Sequence, residues 1–390
     1  MGVRVANAIG EMLPCTAMVI IEAATIFLTI MASTAMSKFG MSSFIFVVYT
    51  NALSFILLLP YSLFFHRRDK TEEPLFTFPL LLRVFFLGLV GVTIAQNLAF
   101  AGLSYSSPIV ACGAANMIPA FSFIVSIILR KIRMDWKRQG SQVRVVGTLI
   151  SIVGILSMTF YKGPVVNKYS PSFLQLARPQ LLVFTSTHEN WVLGCFLFAA
   201  ASFALTIWNI IQAGSSKKHP HVMKITCLYT LFGTIQSAVF ALFMEKDLSA
   251  WRLKLNFELL VIVLTAIFGS LIRSSVQMWC MRLKGPSYTL FFKPVGVPVA
   301  STCGCVLFAA TFHYGRQLDT NTFSHTYKIL TPMSLYSMLN ACICGLGYYT
   351  TLWGQLKEDE TKKDIKGNVS TSDEKVPLLQ EKEDEDDSQV

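Results

Sequence analysis

Apolar residues fall into runs of about twenty, separated by short polar breaks, which is the length that crosses the hydrocarbon of a bilayer as an α-helix. The runs cover residues 12–34, 43–65, 80–103, 108–130 and 142–161, then 190–212, 222–244, 257–280, 287–312 and 335–356. This pattern predicts an all-α membrane protein with ten transmembrane helices. Residues 1–11 precede the first span, a loop occupies 162–189, and a tail follows from 357 to 390. Ten spans place both termini on one side. Loops after the even-numbered spans carry Arg67, Arg68 and Lys70, then Arg130, Lys131, Arg133, Lys137 and Arg138, then Lys217 and Lys218, then Arg282 and Lys284. The other loops are poorer in Lys and Arg, so both termini are expected in the cytoplasm.

Composition sharpens this picture. Hydrophobic residues make up 53% and charged residues only 14% of the chain, against roughly 25% charged in a soluble domain. The net charge of +10 does not point to nucleic acid, because the basic residues sit in short clusters between apolar runs and form no single basic surface. Twelve of the 23 acids lie beyond Lys357, so the body is more basic than the total suggests. The nine cysteines fall in or beside apolar runs and read as small hydrophobes. The pairs Cys303/Cys305 and Cys342/Cys344 are two apart, which directs their thiols to different faces of a helix and argues against a metal or disulfide site. No cofactor is implied.

The two sets of five runs resemble one another. Gly147, Gly154 and Tyr161 recur at steps of seven in span five, as Asn340, Gly347 and Gly354 do in span ten. Asn97 to Leu103 precede Ser107 and Pro108 much as Gln277 to Leu283 precede Gly285 and Pro286. Small residues at this step line one helix face and admit a close neighbour. An odd number of spans per repeat inverts the second copy, so 12–161 and 190–356 are expected to form two inverted five-helix repeats.

Several motifs in order carry a family likeness. They are Leu103-Ser104-Tyr105-Ser106-Ser107-Pro108, Ile118-Pro119-Ala120-Phe121, Val146-Gly147-Thr148 and Tyr161-Lys162-Gly163-Pro164. The second half adds Trp279-Cys280, Lys284-Gly285-Pro286, Phe292-Lys293-Pro294-Val295-Gly296 and Trp353-Gly354. Over about residues 15–356 the chain resembles the plant walls-are-thin-related, nodulin-type transporters of the drug/metabolite transporter superfamily, built from two EamA repeats. The resemblance implies movement of amino acids, auxin or related compounds. There are two departures. Residues 316–336 form a polar stretch after Phe312-His313-Tyr314-Gly315 that reads as an insertion, and Ala309-Ala310 replaces the usual Gly-Asp.

A transporter needs polar groups at depth, and each is costly in lipid, roughly 2.5–3.5 kcal/mol for a charge. Glu22 is the one acid well inside a run, with Thr25 and Thr29 on its face. A proton taken up there could couple to substrate movement, or a neutral Glu could simply bond a neighbouring helix. In span six Trp208 and Gln212 set an aromatic ring beside an amide, with Asn209 adjacent. Span three offers Thr93 and Asn97, and span eight Arg273 and Gln277, with Arg273 read first as snorkelling. Lys293 precedes Pro294, which breaks the helix as at the discontinuous sites of other transporters, and Asn116, three before Pro119, is its counterpart in the first half. Substrate binding or coupling is therefore expected from Glu22, Asn97, Asn116, Trp208, Gln212, Gln277 and Lys293.

The acidic tail lacks apolar periodicity. Within it Glu374, Leu378 and Leu379 form an acidic dileucine pattern that a sorting adaptor could read, leaving the plasma and vacuolar membranes both open. An integral-membrane transferase would need paired acids or an acid and histidine near the bilayer, and no such set can be assembled. No phosphate-binding glycine loop is visible. A channel or receptor is the other rival, and a homodimer is left open. The expected partners are a small-molecule substrate and membrane lipids.

Overall fold

The computed structural model describes residues 2–66, 78–130, 139–160, 191–218, 222–253, 256–284, 288–303, 339–340 and 342–358. All regular structure among them is helical. Helix α1 (Gly2–Phe39) extends back beyond the first apolar run, and α2 (Ser43–His66) returns across the bundle. The third span is α3 (Phe78–Leu87), a π-helical segment (Gly88–Gln96) and α4 (Asn97–Tyr105). The fourth is α5 (Pro108–Ala115) followed by α6 (Ile118–Ile128). Helices α7 (Gln139–Phe160), α8 (Trp191–Lys218) and α9 (Val222–Met244) are continuous. The eighth span is α10 (Phe257–Ile267), a second π-helical segment (Phe268–Arg273) and α11 (Ser274–Lys284). A 3-10 segment (Tyr288–Val295) then leads into α12 (296–303), and α13 occupies 342–358.

Eight stretches among the described residues are long and apolar enough to cross a membrane, from Met12–Ser37 to Phe257–Lys284. The ninth and tenth expected runs fall partly outside the described residues. So do the loop 162–189, the apparent insertion 316–336, and the tail from 359 onward with Glu374, Leu378 and Leu379.

Three spans read as continuous from the apolar pattern are interrupted. In span four Asn116 and Met117 form a turn ahead of Pro119, which has no N–H to offer the preceding turn. Hydroxyls from α8 fill in, with Ser202 donating to the Ala114 carbonyl at 2.9 Å and Thr206 to Ile118 at 3.4 Å. Spans three and eight each widen into a π-helix. The two segments begin at Gly88 and Phe268, 180 residues apart, the same offset that separates Asn97 from Gln277. Gly88 permits contact with α9, since a Cβ there would lie 2.8 Å from the Gly233 nitrogen.

The packing leaves Phe27, Ile56, Phe196, Phe243 and Leu346 on the outside, the arrangement expected of helices whose solvent is lipid. Inside, Met36, Phe46, Leu103, Val110, Ala114, Phe198 and Val261 form one apolar core at the end where α1 finishes and α2 begins. A smaller cluster of Ile26, Ile30, Ile109, Val297 and Ala300 joins α1, α5 and α12. Helices α7 and α13 run antiparallel with their glycines facing. A Cβ on Gly147 would lie 2.5 Å from the Thr351 nitrogen, and one on Gly347 would lie 2.6 Å from the Ser151 nitrogen.

Candidate functional site

The smaller apolar cluster borders the one ion pair that the described residues place at mid-depth. Glu22 lies ten residues after Met12, about 15 Å along a helix and so near the middle of an about 30 Å hydrocarbon layer. Its carboxylate Oε1 accepts from Lys293 Nζ at 2.7 Å, and its side chain is only 5% exposed. Neither charge is stable alone in lipid, and each meets the other's need. Cys112 on α5 is close enough for both charges to act on it, and a Cβ on Gly296 of α12 would be 3.2 Å from Ile26 Cδ1 and 3.9 Å from Cys112 Sγ. Arg273, half-buried at the end of the second π-helical segment, is close enough for its charge to act on Lys293.

Lys293 reaches Glu22 from the 3-10 segment, and Pro294 is the local cause of that segment. Proline cannot donate to the carbonyl three or four residues earlier, which leaves Phe291 and Leu290 without their usual partners. Two tyrosines of α13 supply the donors: Tyr348 Oη to the Leu290 carbonyl at 2.8 Å and Tyr349 Oη to Phe291 at 2.7 Å. Irregular backbone within a membrane bundle needs such partners, because lipid offers none. Tyr288 and Phe292 pack edge to face within the segment, 5.1 Å between centroids.

The other expected site residues sit on α4, α8, α11 and the break in span four. Asn97, 3% exposed, donates through Nδ2 to the Thr93 carbonyl at 2.7 Å and to Ser237 Oγ at 3.4 Å. Its Oδ1 has no hydrogen-bond partner among the described residues. Thr93 donates to Gln236 Oε1 at 3.2 Å, and Asn51 donates to Gln96 Oε1 at 2.6 Å. Trp208 presses against Gly91, which has no room for a side chain, and meets Tyr229 edge to face at 5.9 Å. Its buried indole nitrogen likewise lacks a partner among the described residues. Asn116, 1% exposed at the break in span four, has neither amide atom bonded there. Gln212 and Gln277 are half-buried on α8 and α11. Glu22 and Lys293 are thus brought together, Asn97 directly follows the π-helical segment whose Gly91 Trp208 packs against, and Asn116 follows α5 one turn beyond Cys112.

A second buried ion pair was not foreseen. Arg144 Nη1 bonds Glu358 Oε2 at 2.6 Å, with side chains 3% and 8% exposed. Ser141 Oγ donates to Glu358 Oε1 at 2.8 Å, and the guanidinium stacks over Phe123 at 4.3 Å. The composition had grouped Glu358 with the tail acids, whereas it ends α13. The available signal was Arg144 itself, a charge three residues before Gly147 on the small-residue face.

Residues 13–160 match the EamA-like transporter family, and with eight described stretches long and apolar enough to cross a membrane this is a multi-pass membrane protein with an EamA-like transporter domain. Two Arabidopsis thaliana proteins align along nearly the whole chain. WAT1-related protein At1g70260 is 45% identical over 95% of this chain and 96% of its own length, and WAT1-related protein At1g60050 is 43% identical over 94% of each. WAT1-related protein At3g28050 is 33% identical over 89% of this chain and 87% of its own. The chain belongs to the WAT1-related family.

Proposed function

We propose that the protein moves small organic acids or amino acids by alternating access between two inverted five-helix halves, coupled to protons through Glu22. The observation that carries this reading is the 2.7 Å contact between Glu22 and Lys293. While Glu22 is charged, it occupies the ammonium. Protonation of Glu22 frees Lys293 to take a substrate carboxylate, and Arg273 nearby adds a second positive charge that favours the same guest. Loss of the proton restores the internal pair and expels the substrate. Asn116 and Gln277 stand as neutral hydrogen-bonding groups for the rest of the ligand, while Trp208, Gln212 and Asn97 suit a planar or amide-bearing part. In this reading both termini face the cytoplasm.

The test is Glu22→Gln, which keeps shape and much of the hydrogen bonding but cannot exchange a proton. Uptake and efflux are measured in oocytes across a pH series with labelled amino acids and indole-3-acetate. The variant is expected to reach the membrane at parental abundance and to lose the pH dependence of net transport while still exchanging preloaded substrate. A full parental pH response in the variant would make Glu22 purely structural.

A further inference from the structure

We infer that α7 and α13 form a fixed axis that stays closed while the remaining contacts between the halves open and close. The purpose of such an axis rests on the transport reading, but its geometry does not. The two helices touch backbone to backbone. A Cβ on Gly154 would lie 2.7 Å from Cys344 Sγ and one on Gly354 would lie 2.8 Å from the Gly140 carbonyl, in line with the contacts at Gly147 and Gly347. From Gly140 to Ser157 this seam is about 25 Å long, most of the hydrocarbon depth.

Both ends are pinned. Arg144 and Glu358 close one end with Ser141, and Ser157 Oγ donates to Asn340 Oδ1 at 2.7 Å at the other. Sliding or turning either helix would drive side chains into notches that admit only hydrogen, so the seam has no neighbouring packed arrangement to move into. The crossing of α1 and α5 with α12 is built differently. There the ends of apolar side chains meet across Gly296, and the polar tie is the Glu22–Lys293 pair, the contact that the transport reading opens and closes. Motion is expected at that crossing and not at the seam. The tyrosine bonds from α13 to Leu290 and Phe291 then carry the Lys293 segment with the axis.

Two single substitutions place new thiols against native ones. Gly154→Cys faces Cys344 across the seam, and Gly296→Cys faces Cys112 across the site. Ser157→Cys with Asn340→Cys is a second seam pair should Gly154→Cys fold poorly. Each protein, in native membranes, is oxidised with copper phenanthroline at acid and at neutral pH, the linked peptides are quantified by mass spectrometry as rates relative to a free dithiol oxidised in the same buffer, since thiolate chemistry itself slows in acid, and uptake is measured before and after reduction. The seam pair is expected to link equally at both pH values and to leave uptake unchanged, whereas the site pair links less in acid and its linkage stops uptake. Loss of uptake on seam linkage with recovery on reduction would overturn the axis, as would a pH-dependent seam yield or failure of both seam pairs to link. If the parent carries no labelled substrate, the transport reading fails by itself, and the contrast in linkage yields still decides the axis.

Discussion

A carboxylate and an ammonium in lipid stabilise the protein only as a pair, so removing one is worse than removing both. Lys293→Ala leaves Glu22 without its partner, and breaking a buried ion pair costs about 3–5 kcal/mol. The expected outcome is a clear fall in the melting temperature of the detergent-solubilised protein, largely reversed in Glu22→Gln with Lys293→Met, which fills the space without charge. Each of these residues stood out in the amino-acid sequence because a charge inside an apolar run is expensive. Their pairing was not legible, because 271 residues separate them and periodicity describes only one helix at a time. Arg144 and Glu358 were hidden for a different reason: both lie at span margins, where charges normally belong to headgroups or solvent. Asn97, Asn116 and Trp208 were legible as polar groups at depth, whereas their unpartnered atoms follow from the packing around them.

Helix boundaries were readable from apolar length, but the interior of each element was not. Nothing in the run 80–103 signals nine residues of π-helix, because the widening depends on Gly88 and Gly91 meeting α9 and Trp208. Pro294 did signal a break, and the structure adds how that break is tolerated. Tyr348→Phe removes the donor to the Leu290 carbonyl with little change of shape, and a lost hydrogen bond within a membrane bundle costs about 1 kcal/mol. A small fall in thermal stability is expected, together with weakened substrate affinity because the Lys293 segment loosens. Outside the membrane, the turn Leu248–Trp251 is capped by Asp247, whose carboxylate accepts from the Ser249 amide at 2.9 Å and its hydroxyl at 2.8 Å. These bonds favour the charged form and hold its pKa below the ordinary carboxylate value. The folded value is depressed, so the cap is fully present above the ordinary range and is lost as pH falls through the lowered one. Hydrogen exchange should show the protection factor of the Ser249 amide dropping in acid, and Asp247→Ala should remove that protection at neutral pH as well.

Across the whole molecule, Gly147 and Gly154 of span five meet the helix that carries Gly347 and Gly354, and π-helical segments begin 180 residues apart in spans three and eight. These are long-range contacts whose residue types were visible in advance because close approach demands glycine wherever it occurs. The antiparallel seam places the start of α7 and the end of α13 at one end of the bundle, so the tail leaves from the side where α7 begins. If that side is cytoplasmic, Asn368 within Asn368-Val369-Ser370 stays unmodified although it is an acceptor sequon. Translation in microsomes with and without a glycosidase checks this, and a mobility shift from a glycan on Asn368 would reverse the orientation. The position of Glu358 also bears on how the protein can be handled. Among the described residues its carboxylate is the last group that the bundle grips, so the cut to test for a shortened chain or a fused reporter lies just after it. A chain ending at residue 358 should assemble like its parent, whereas one ending at Gln355 strands the Arg144 guanidinium and should be cleared by quality control before it leaves the endoplasmic reticulum.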